Sequence, residues 1–154
     1  LAWIGDGNNV ARSLAVGCAK MGFPFVAASP PGDQLDEAYL EQVRREVPGA
    51  EVAQVEDPRE AVREAEVVYT DVWASMGQES EAADRARAFE PFQVNAGLMA
   101  VAPADACFLH CLPARRGQEV TDDVLDGAQS LVIEQAANRM HVQKGLLVWL
   151  LNES

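Results

Sequence analysis

The sequence is poor in basic residues, and it has no long apolar run. Lysine and arginine total 12 against 24 aspartates and glutamates, which leaves a net charge of −12. A negative field of this size repels phosphate backbones and anionic lipids, so nucleic acid is not an expected partner. The sequence also lacks an apolar run of membrane-spanning length and a basic-then-apolar leader, so it predicts neither membrane insertion nor secretion.

Cysteine is scarce as well. The three cysteines, Cys18, Cys107 and Cys111, are odd in number and do not suggest a disulfide framework, so a reducing cytoplasm is the expected compartment. The 154 residues are 49% hydrophobic, which fits one domain with a sizeable core. Because the first residues, 1–4, already form an apolar strand-like stretch, we expect the chain to be a fragment of a longer protein.

Short apolar runs alternate along the chain with stretches of helical period. The pattern predicts strands over residues 1–4, 23–28, 51–55, 67–70, 107–110 and 130–133. It predicts helices over residues 10–21, 35–47, 58–64, 81–89, 95–102, 121–125 and 136–151. This alternation favours a single α/β domain with three layers, α/β/α, around a doubly wound and mostly parallel sheet. Trp149, in the apolar last helix, is expected in the core.

Polar residues follow four of the predicted strands. They are Asn8 with Asn9, Asp71 with Ser75, Cys111, and Asn138 with Arg139. In a doubly wound sheet the carboxyl ends of the strands share one edge, and ligands bind in the crevice outside that edge. The sequence therefore predicts that these side chains converge on a single site.

The turn after the first strand begins like a dinucleotide-binding fingerprint. Gly5 and Gly7 fit that pattern, but Val10 occupies the third glycine position. The segment about 20 residues further on also lacks the acidic residue that would bind a ribose, so a nicotinamide site is not expected. Alternatively, the glycines make a tight turn while Asn8 or Asn9 caps the next helix, a role compatible with ligand binding.

A second candidate pattern is the run of Cys107, His110 and Cys111. Neighbouring side chains of a strand point to opposite faces, and no second ligand pair follows, so we expect no metal site. Cys107 is expected to be a small buried residue. Cys111 lies past the strand and near Arg115 and Arg116, whose positive charges could lower the pKa of its thiol.

Four longer motifs occur in order along the chain. They are Trp3-Ile4-Gly5-Asp6-Gly7-Asn8-Asn9, Asp71-Val72-Trp73-Ala74-Ser75-Met76-Gly77-Gln78-Glu79, His110-Cys111-Leu112-Pro113 and Asn138-Arg139-Met140-His141. Together they resemble the ornithine carbamoyltransferases, and the resemblance covers essentially the whole chain. The second and third motifs are its most specific parts, whereas Gly-Asp-Gly alone would be weak.

The resemblance implies a transfer reaction without a metal or organic cofactor. Members of this family join L-ornithine and carbamoyl phosphate to give citrulline and phosphate. The residues that would bind ornithine are Asn9, Asp71, Ser75 and Met76. Asp71 would face the α-ammonium group, while Asn9 and the backbone donors around Ser75 and Met76 would hold the α-carboxylate.

The same resemblance assigns Cys111, Leu112 and Arg139 to the carbamoyl group, with Cys111 and Arg139 as catalytic residues. Cys111 would lie near the δ-amine, to accept a proton or hold the amine in line. The Leu112 carbonyl would meet the carbamoyl amide, and Arg139 would stabilise the charge that develops on the carbonyl oxygen. Purely structural roles are the alternative: Asp71 could cap a loop, and Arg139 could pair with Glu134 in solvent.

The chain departs from the family pattern in two places. The usual Glu-Ala-Glu-Asn-Arg run is altered, since Ala137 precedes Asn138 and Arg139, and an acidic partner for Arg139 is missing. The Ser-x-Arg-Thr-Arg phosphate loop of the carbamoyl-phosphate domain does not occur. We therefore expect residues 1–154 to be the ornithine-binding domain of a homotrimeric enzyme whose site needs both domains, and to be inactive alone. The loop over 75–77 is expected to close over the amino acid.

Two other functions fit the same residues. A sister carbamoyltransferase could act on aspartate, putrescine or an N-acylated ornithine, although aspartate enzymes usually carry His-Pro-Leu-Pro at the third motif. N-acylated ornithine also has no free α-ammonium for Asp71. A non-catalytic amino-acid-binding or assembly module could keep the fold. Biosynthetic and catabolic directions of the reaction stay open.

Overall fold

Five parallel strands form the centre of the fold in a computed structural model that describes residues 1–73 and 82–152. The strands are β1 Ala2–Ile4, β2 Phe25–Ala28, β3 Val52–Val55, β4 Val67–Thr70 and β5 Cys107–His110. Their order in the sheet is β3-β2-β1-β4-β5, and every neighbouring pair is parallel. The predicted doubly wound parallel α/β fold is confirmed.

Helices connect the strands as the sequence predicted. They are α1 Asn9–Met21, α2 Glu37–Glu46, α3 Pro58–Val62, α4 Ala82–Phe89, α5 Ala96–Met99, α6 Asp122–Leu125 and α7 Val132–Asn152, with a 3-10 turn at Glu90–Phe92. The ends of α1 show why the boundaries fall where they do. The Asn8 side chain accepts hydrogen bonds from the backbone N–H groups of Val10 and Ala11, and Gly22, at φ 73°, ends the helix.

The sheet separates two apolar layers. In β1, Ala2 and Ile4 pack on one face of the sheet, and Trp3 packs on the other, as the strand period of two requires. Helices α1 and α2 cover the face of Trp3, and α3, α5 and α6 cover the opposite face. Helices therefore cover both faces of the sheet, as the predicted three-layer α/β/α arrangement requires. The loops that carry the polar residues lie at the carboxyl edge of the sheet.

The predicted sixth strand, over residues 130–133, is wrong. Only Ser130 forms a bridge, with Phe108, and the Leu131 N–H donates to the Phe108 carbonyl at 3.0 Å. The chain then turns directly into α7 at Val132. A short apolar run can begin a helix as well as form a strand, and periodicity alone does not distinguish the two.

The prediction that Trp149 lies in the core is also wrong. Helix α7 is buried only near its start, at Val132, and Trp149 is 55% exposed. Other large apolar residues of this helix are exposed: Met140, Val142, Leu146, Leu147, Val148, Leu150 and Leu151. An apolar helix face is buried only where another element packs on it, and among the described residues these side chains of α7 are left uncovered. In the described part of the chain, no helix is long and apolar enough to cross a membrane.

Candidate functional site

The candidate site lies where the winding of the sheet changes direction. From β1 the chain proceeds to β2 and β3 on one side, and then crosses to β4 on the other side of β1. The loops that leave β1 and β4 therefore diverge and open a crevice, the usual place for a ligand in such a sheet. Asn8 follows β1 and Asp71 follows β4, so they lie on opposite sides of this crevice.

Asp71 joins three separate segments of the chain. One carboxylate oxygen, Oδ2, accepts a hydrogen bond from Asn8 Nδ2 at 3.3 Å. The other, Oδ1, accepts from the Cys111 thiol at 3.0 Å and from the Val72 N–H at 2.7 Å. The structure thus brings Asn8, Asp71 and Cys111 together across β1, β4 and β5.

Asn8, and not Asn9, makes the described contact with Asp71. Asn8 caps α1 with its side-chain oxygen and donates to Asp71 with its side-chain nitrogen. Asn9 is exposed at the first position of α1, and among the described residues its side chain has no hydrogen bond to Asp71 or Cys111. Asn9 is nevertheless at the amino end of a 13-residue helix, where the helix dipole attracts anions.

The Cys111 thiol has the opposite electrostatic environment from the one expected. Burial, the hydrogen bond to Asp71 and the charge of that carboxylate, in this order of size, together raise its pKa to about 12. The expected lowering by the following arginines is wrong, because Arg116 pairs instead with Asp122 and Asp126 in solvent. At neutral pH Cys111 is therefore a thiol that donates to Asp71.

A buried pair of side chains holds the turn that carries Cys111. The imidazole of His110 accepts the Leu112 N–H at Nδ1, at 2.8 Å, so its other nitrogen, Nε2, carries the proton. Nε2 lies 3.3 Å from Glu119 Oε1, and both side chains are 0% exposed. The same Glu119 oxygen accepts the N–H of Arg115. The pair therefore ties both ends of a turn in which Leu112 has a left-handed φ of 56°.

Asp71, His110 and Cys111 also invite comparison with a metal centre, since one ligand atom from each lies within 4.8 Å of the others. The hydrogen bonds argue for a different arrangement. The Nδ1 lone pair of His110 is used by the Leu112 N–H, and the thiol of Cys111 is protonated. A metal ion would have to displace the thiol proton and break the hydrogen bond from the Leu112 N–H to His110, so these residues fit a hydrogen-bonded cluster better.

Gln135 links the first turn of α7 to this cluster, a role that the motif comparison missed. Its side-chain oxygen accepts the His110 N–H at 3.1 Å, and its nitrogen donates to the Tyr69 hydroxyl at 2.7 Å. Burial raises the pKa of Tyr69 to about 12, so the hydroxyl stays neutral. Gln135 precedes Arg139 by four residues, which places both on one face of α7. That spacing is the signal that could have identified it.

Arg139 lies across a groove from Cys111. Both residues line a cavity of about 890 Å³ between the sheet and α7, together with Tyr69, Gln135 and Asn138. Arg139 is exposed, and within the described ranges 1–73 and 82–152 it has no hydrogen bond or ion pair with the cluster residues or with Glu134. Its guanidinium thus lies at the groove, and none of the described residues is a fixed partner for it. Ser75 and Met76 lie outside the described residues.

Residues 1–150 match the family model described as "Aspartate/ornithine carbamoyltransferase, Asp/Orn binding domain". The chain belongs to this family. The match spans all three strands that contribute to the Asp71 cluster, and it reaches α7 beyond Arg139.

Individual carbamoyltransferases agree with the family assignment. The chain is 51% identical to the ornithine carbamoyltransferase of Methanopyrus kandleri over 153 residues, which are 98% of this chain and 49% of that protein. It is 52% identical to the enzyme of Anoxybacillus flavithermus, with the same coverage. The chain therefore spans about half the length of the curated relatives it matches.

Solved carbamoyltransferase structures have the same fold. The ornithine carbamoyltransferase of Pyrococcus furiosus superimposes with a TM-score of 0.86 at 50% identity, covering 95% of this chain and 47% of that one. The anabolic enzyme of Campylobacter jejuni superimposes with a TM-score of 0.90 at 36% identity, covering 99% of this chain and 51% of that one.

Proposed function

We propose that this chain is the ornithine-binding half of an ornithine carbamoyltransferase, which transfers the carbamoyl group of carbamoyl phosphate to the δ-amine of L-ornithine. The observation that carries the proposal is the Asp71 carboxylate, which is hydrogen-bonded to both Asn8 and Cys111 at the crevice of the sheet. Relatives named ornithine carbamoyltransferase, at 51% and 52% identity, support ornithine as the acceptor.

Recognition of the amino acid would use both signs of charge at this edge. The Asp71 carboxylate is suited to the α-ammonium group of ornithine. The α-carboxylate would lie at the amino end of α1, near Asn9, where the helix dipole favours an anion. Ser75 and Met76 complete the proposed ornithine contacts, as the family motif implies.

In the transfer step, the neutral δ-amine attacks the carbonyl carbon of carbamoyl phosphate. The new C–N bond forms, the C–O bond to phosphate breaks, and phosphate leaves with the bonding electrons. The attacking nitrogen loses one proton in the same step, and the leaving phosphate accepts it. Arg139 would donate to the carbonyl oxygen while negative charge builds there, and the Leu112 carbonyl would accept from the carbamoyl amide. We assign Cys111 to the reacting amine as a hydrogen-bonding thiol, because its raised pKa disfavours a free thiolate.

The whole reaction needs more protein than these residues. The chain spans about half of its curated relatives, and the exposed apolar side chains of α7 are suited to pack against the remainder of such an enzyme. We propose that the remainder binds the phosphate, that the complete enzyme is a cytoplasmic homotrimer, and that residues 1–154 alone make no detectable citrulline. Steady turnover by the purified chain alone would contradict this part of the proposal.

The test is an acceptor comparison in the full-length protein. Citrulline formation from ornithine and carbamoyl phosphate should exceed transfer to aspartate, putrescine and N-acetylornithine by a wide margin in kcat/KM. A preference for another amine would indicate a sister carbamoyltransferase.

Substitutions distinguish an enzyme from a binding module. Cys111→Ala and Arg139→Ala should lower kcat by about 100-fold or more while changing ornithine affinity much less, since their interactions strengthen in the transition state. Losses confined to ornithine affinity, with no measurable transfer by the unmodified protein, would favour a non-catalytic amino-acid-binding module.

A further inference from the structure

Arg85, in α4, is the meeting point of three loops at the carboxyl edge of the sheet. Its guanidinium donates to Asp6 Oδ2 at 2.7 Å in the turn after β1. It donates to Asp33 Oδ1 at 2.8 Å in the loop after β2. Its Nε donates to the Trp73 carbonyl at 2.7 Å in the segment after β4. One side chain thus connects the segments that leave three adjacent strands.

The surroundings of Arg85 hold its side chain in one position. The side chain is only 11% exposed, against 15% for Asp6 and 25% for Asp33. Its guanidinium carbon lies 4.9 Å from the centre of the Phe89 ring, which covers one face of the group. Burial raises the pKa of Asp6, and the charge of Arg85 opposes that rise. A planar fork of donors can meet three acceptors at once, which an ammonium group cannot do in this geometry.

A chain of hydrogen bonds connects Arg85 to Asp71 and its partners. The Gly7 N–H donates to the Asp33 carbonyl at 2.7 Å, so the loop that Arg85 holds also holds the turn after β1. The next residue, Asn8, caps α1 and donates to Asp71 at 3.3 Å. The position of Asn8 therefore follows from the position of the turn, which is bound to Arg85 directly at Asp6 and through Asp33 at Gly7.

We infer that Arg85 is a positioning residue for amino-acid binding: it sets the place of the β1–α1 turn, and through Asn8 it orients the Asp71 carboxylate. The predicted change in the ornithine KM rests on the proposed function. The predicted loss of the Asn8–Asp71 contact does not depend on which substrate the enzyme binds. Arg85 acts through Asp6 and Asp33 and does not touch the reacting atoms.

The experiment compares four variants of the full-length enzyme in steady-state kinetics with both substrates. Arg85→Met should raise the KM for ornithine by about 10- to 100-fold, because a displacement near 1 Å in a positioning group costs up to about 100-fold. The KM for carbamoyl phosphate should stay within about twofold of the unmodified enzyme. Arg85→Lys keeps the charge and should be intermediate, and it serves as the variant that folds if the methionine variant does not.

Arg87→Met is the matched control. It lies on the same helix, and its contact with Asp84 is in solvent, with side chains 78% and 85% exposed. It should leave both KM values unchanged. An equal rise of the ornithine KM in the Arg87 and Arg85 variants would overturn the inference.

A neutralised variant separates positioning from charge. In the Arg85→Met variant the carboxylates of Asp6 and Asp33 lose their cation, which should lower thermal stability. Adding Asp6→Asn and Asp33→Asn to that variant removes both charges and should recover part of the loss. The ornithine KM should stay raised, since the hydrogen bonds of Arg85 are still missing. Recovery of the unmodified KM would show that Arg85 acts only by neutralising charge, and the inference would be wrong.

A crystal structure of the Arg85→Met variant decides the geometric claim whatever the enzyme binds. The inference expects a displaced turn and loss of the Asn8–Asp71 hydrogen bond. An unchanged contact near 3.3 Å would overturn it, even if ornithine proved not to be the substrate. Absence of carbamoyl transfer to ornithine by the unmodified enzyme would instead count against the proposed function.

Discussion

The protonation of Cys111 can be tested through its reactivity. Its raised pKa, about 12 against an ordinary 9.0, is caused by burial and by the hydrogen bond and charge of Asp71. Only the thiolate reacts with iodoacetamide, and each unit of pKa changes its fraction about tenfold below the pKa. Cys111 should therefore be alkylated roughly 1,000-fold more slowly than an ordinary thiol at pH 8, before any effect of limited access.

The Asp71→Asn substitution separates the effect of the carboxylate on the Cys111 pKa from the effect of burial. It removes the negative charge and weakens the acceptor while the burial of Cys111 remains. The thiol pKa should fall by at least about one unit, so alkylation at pH 8 should accelerate about tenfold or more. The assay is time-resolved alkylation between pH 7 and 10, with the peptides that contain Cys111 and Cys107 quantified separately by mass spectrometry.

Cys107 provides the internal control for that experiment. Burial is the leading cause of its raised pKa, and Asp71 does not contribute, so its alkylation rate should be the same in both proteins. If Cys111 stayed as slow in a folded Asp71→Asn variant as in the unmodified protein, Asp71 would not control the thiol. Acceleration of both cysteines together would indicate loosened packing.

Three further predictions concern stability. Glu119→Ala should destabilise the protein by about 3 kcal/mol in denaturant unfolding, because it removes the carboxylate oxygen that accepts the Arg115 N–H and faces the buried His110 Nε2. Glu119→Gln keeps an oxygen acceptor and should cost clearly less; equal losses would argue that this acceptor is unimportant. Gly7→Ala should destabilise by about 1 to 3 kcal/mol, since a Cβ there would lie 2.5 Å from backbone atoms of the next loop, whereas Gly17→Ala, in open space within α1, should be neutral or stabilising. Because the pKa of Tyr69 is raised in the folded state, its contribution to stability is complete below pH 10 and is lost as the pH rises toward 12, so Tyr69→Phe should flatten that part of a melting-temperature profile.

Much of the fold could be predicted from the sequence because it is recorded in local patterns. Apolar runs of strand length, separated by amphipathic stretches, predicted all five strands of the described sheet and the helices between them. The additional strand at 130–133 failed because three consecutive apolar residues have no periodicity long enough to distinguish a strand from the start of a helix. The prediction that Trp149 lies in the core failed for another reason. An apolar pattern indicates a surface that packs against another element, but it does not identify that element.

Part of the candidate site could be predicted from the family motifs. Those motifs named Asp71 and Cys111, which the structure brings together, and Arg139, which lines the adjacent groove. They did not indicate that Asn8 would make the contact with Asp71, or that Arg85 would join three loops. These contacts connect residues more than 60 positions or several loops apart, and no local pattern reports them.

The amino-acid sequence by itself determined the class of fold, the order of its elements and the family, because each depends on spacing along the chain and on short motifs. Only the tertiary structure decided the charge state of Cys111 and the partners of Asp71. A pKa depends on burial and on which charges lie within a few ångströms, and those distances are set by how the strands pack. The expected lowering of the thiol pKa was wrong because burial and Asp71 dominate its surroundings, while Arg116, a neighbour in sequence, pairs with Asp122 and Asp126.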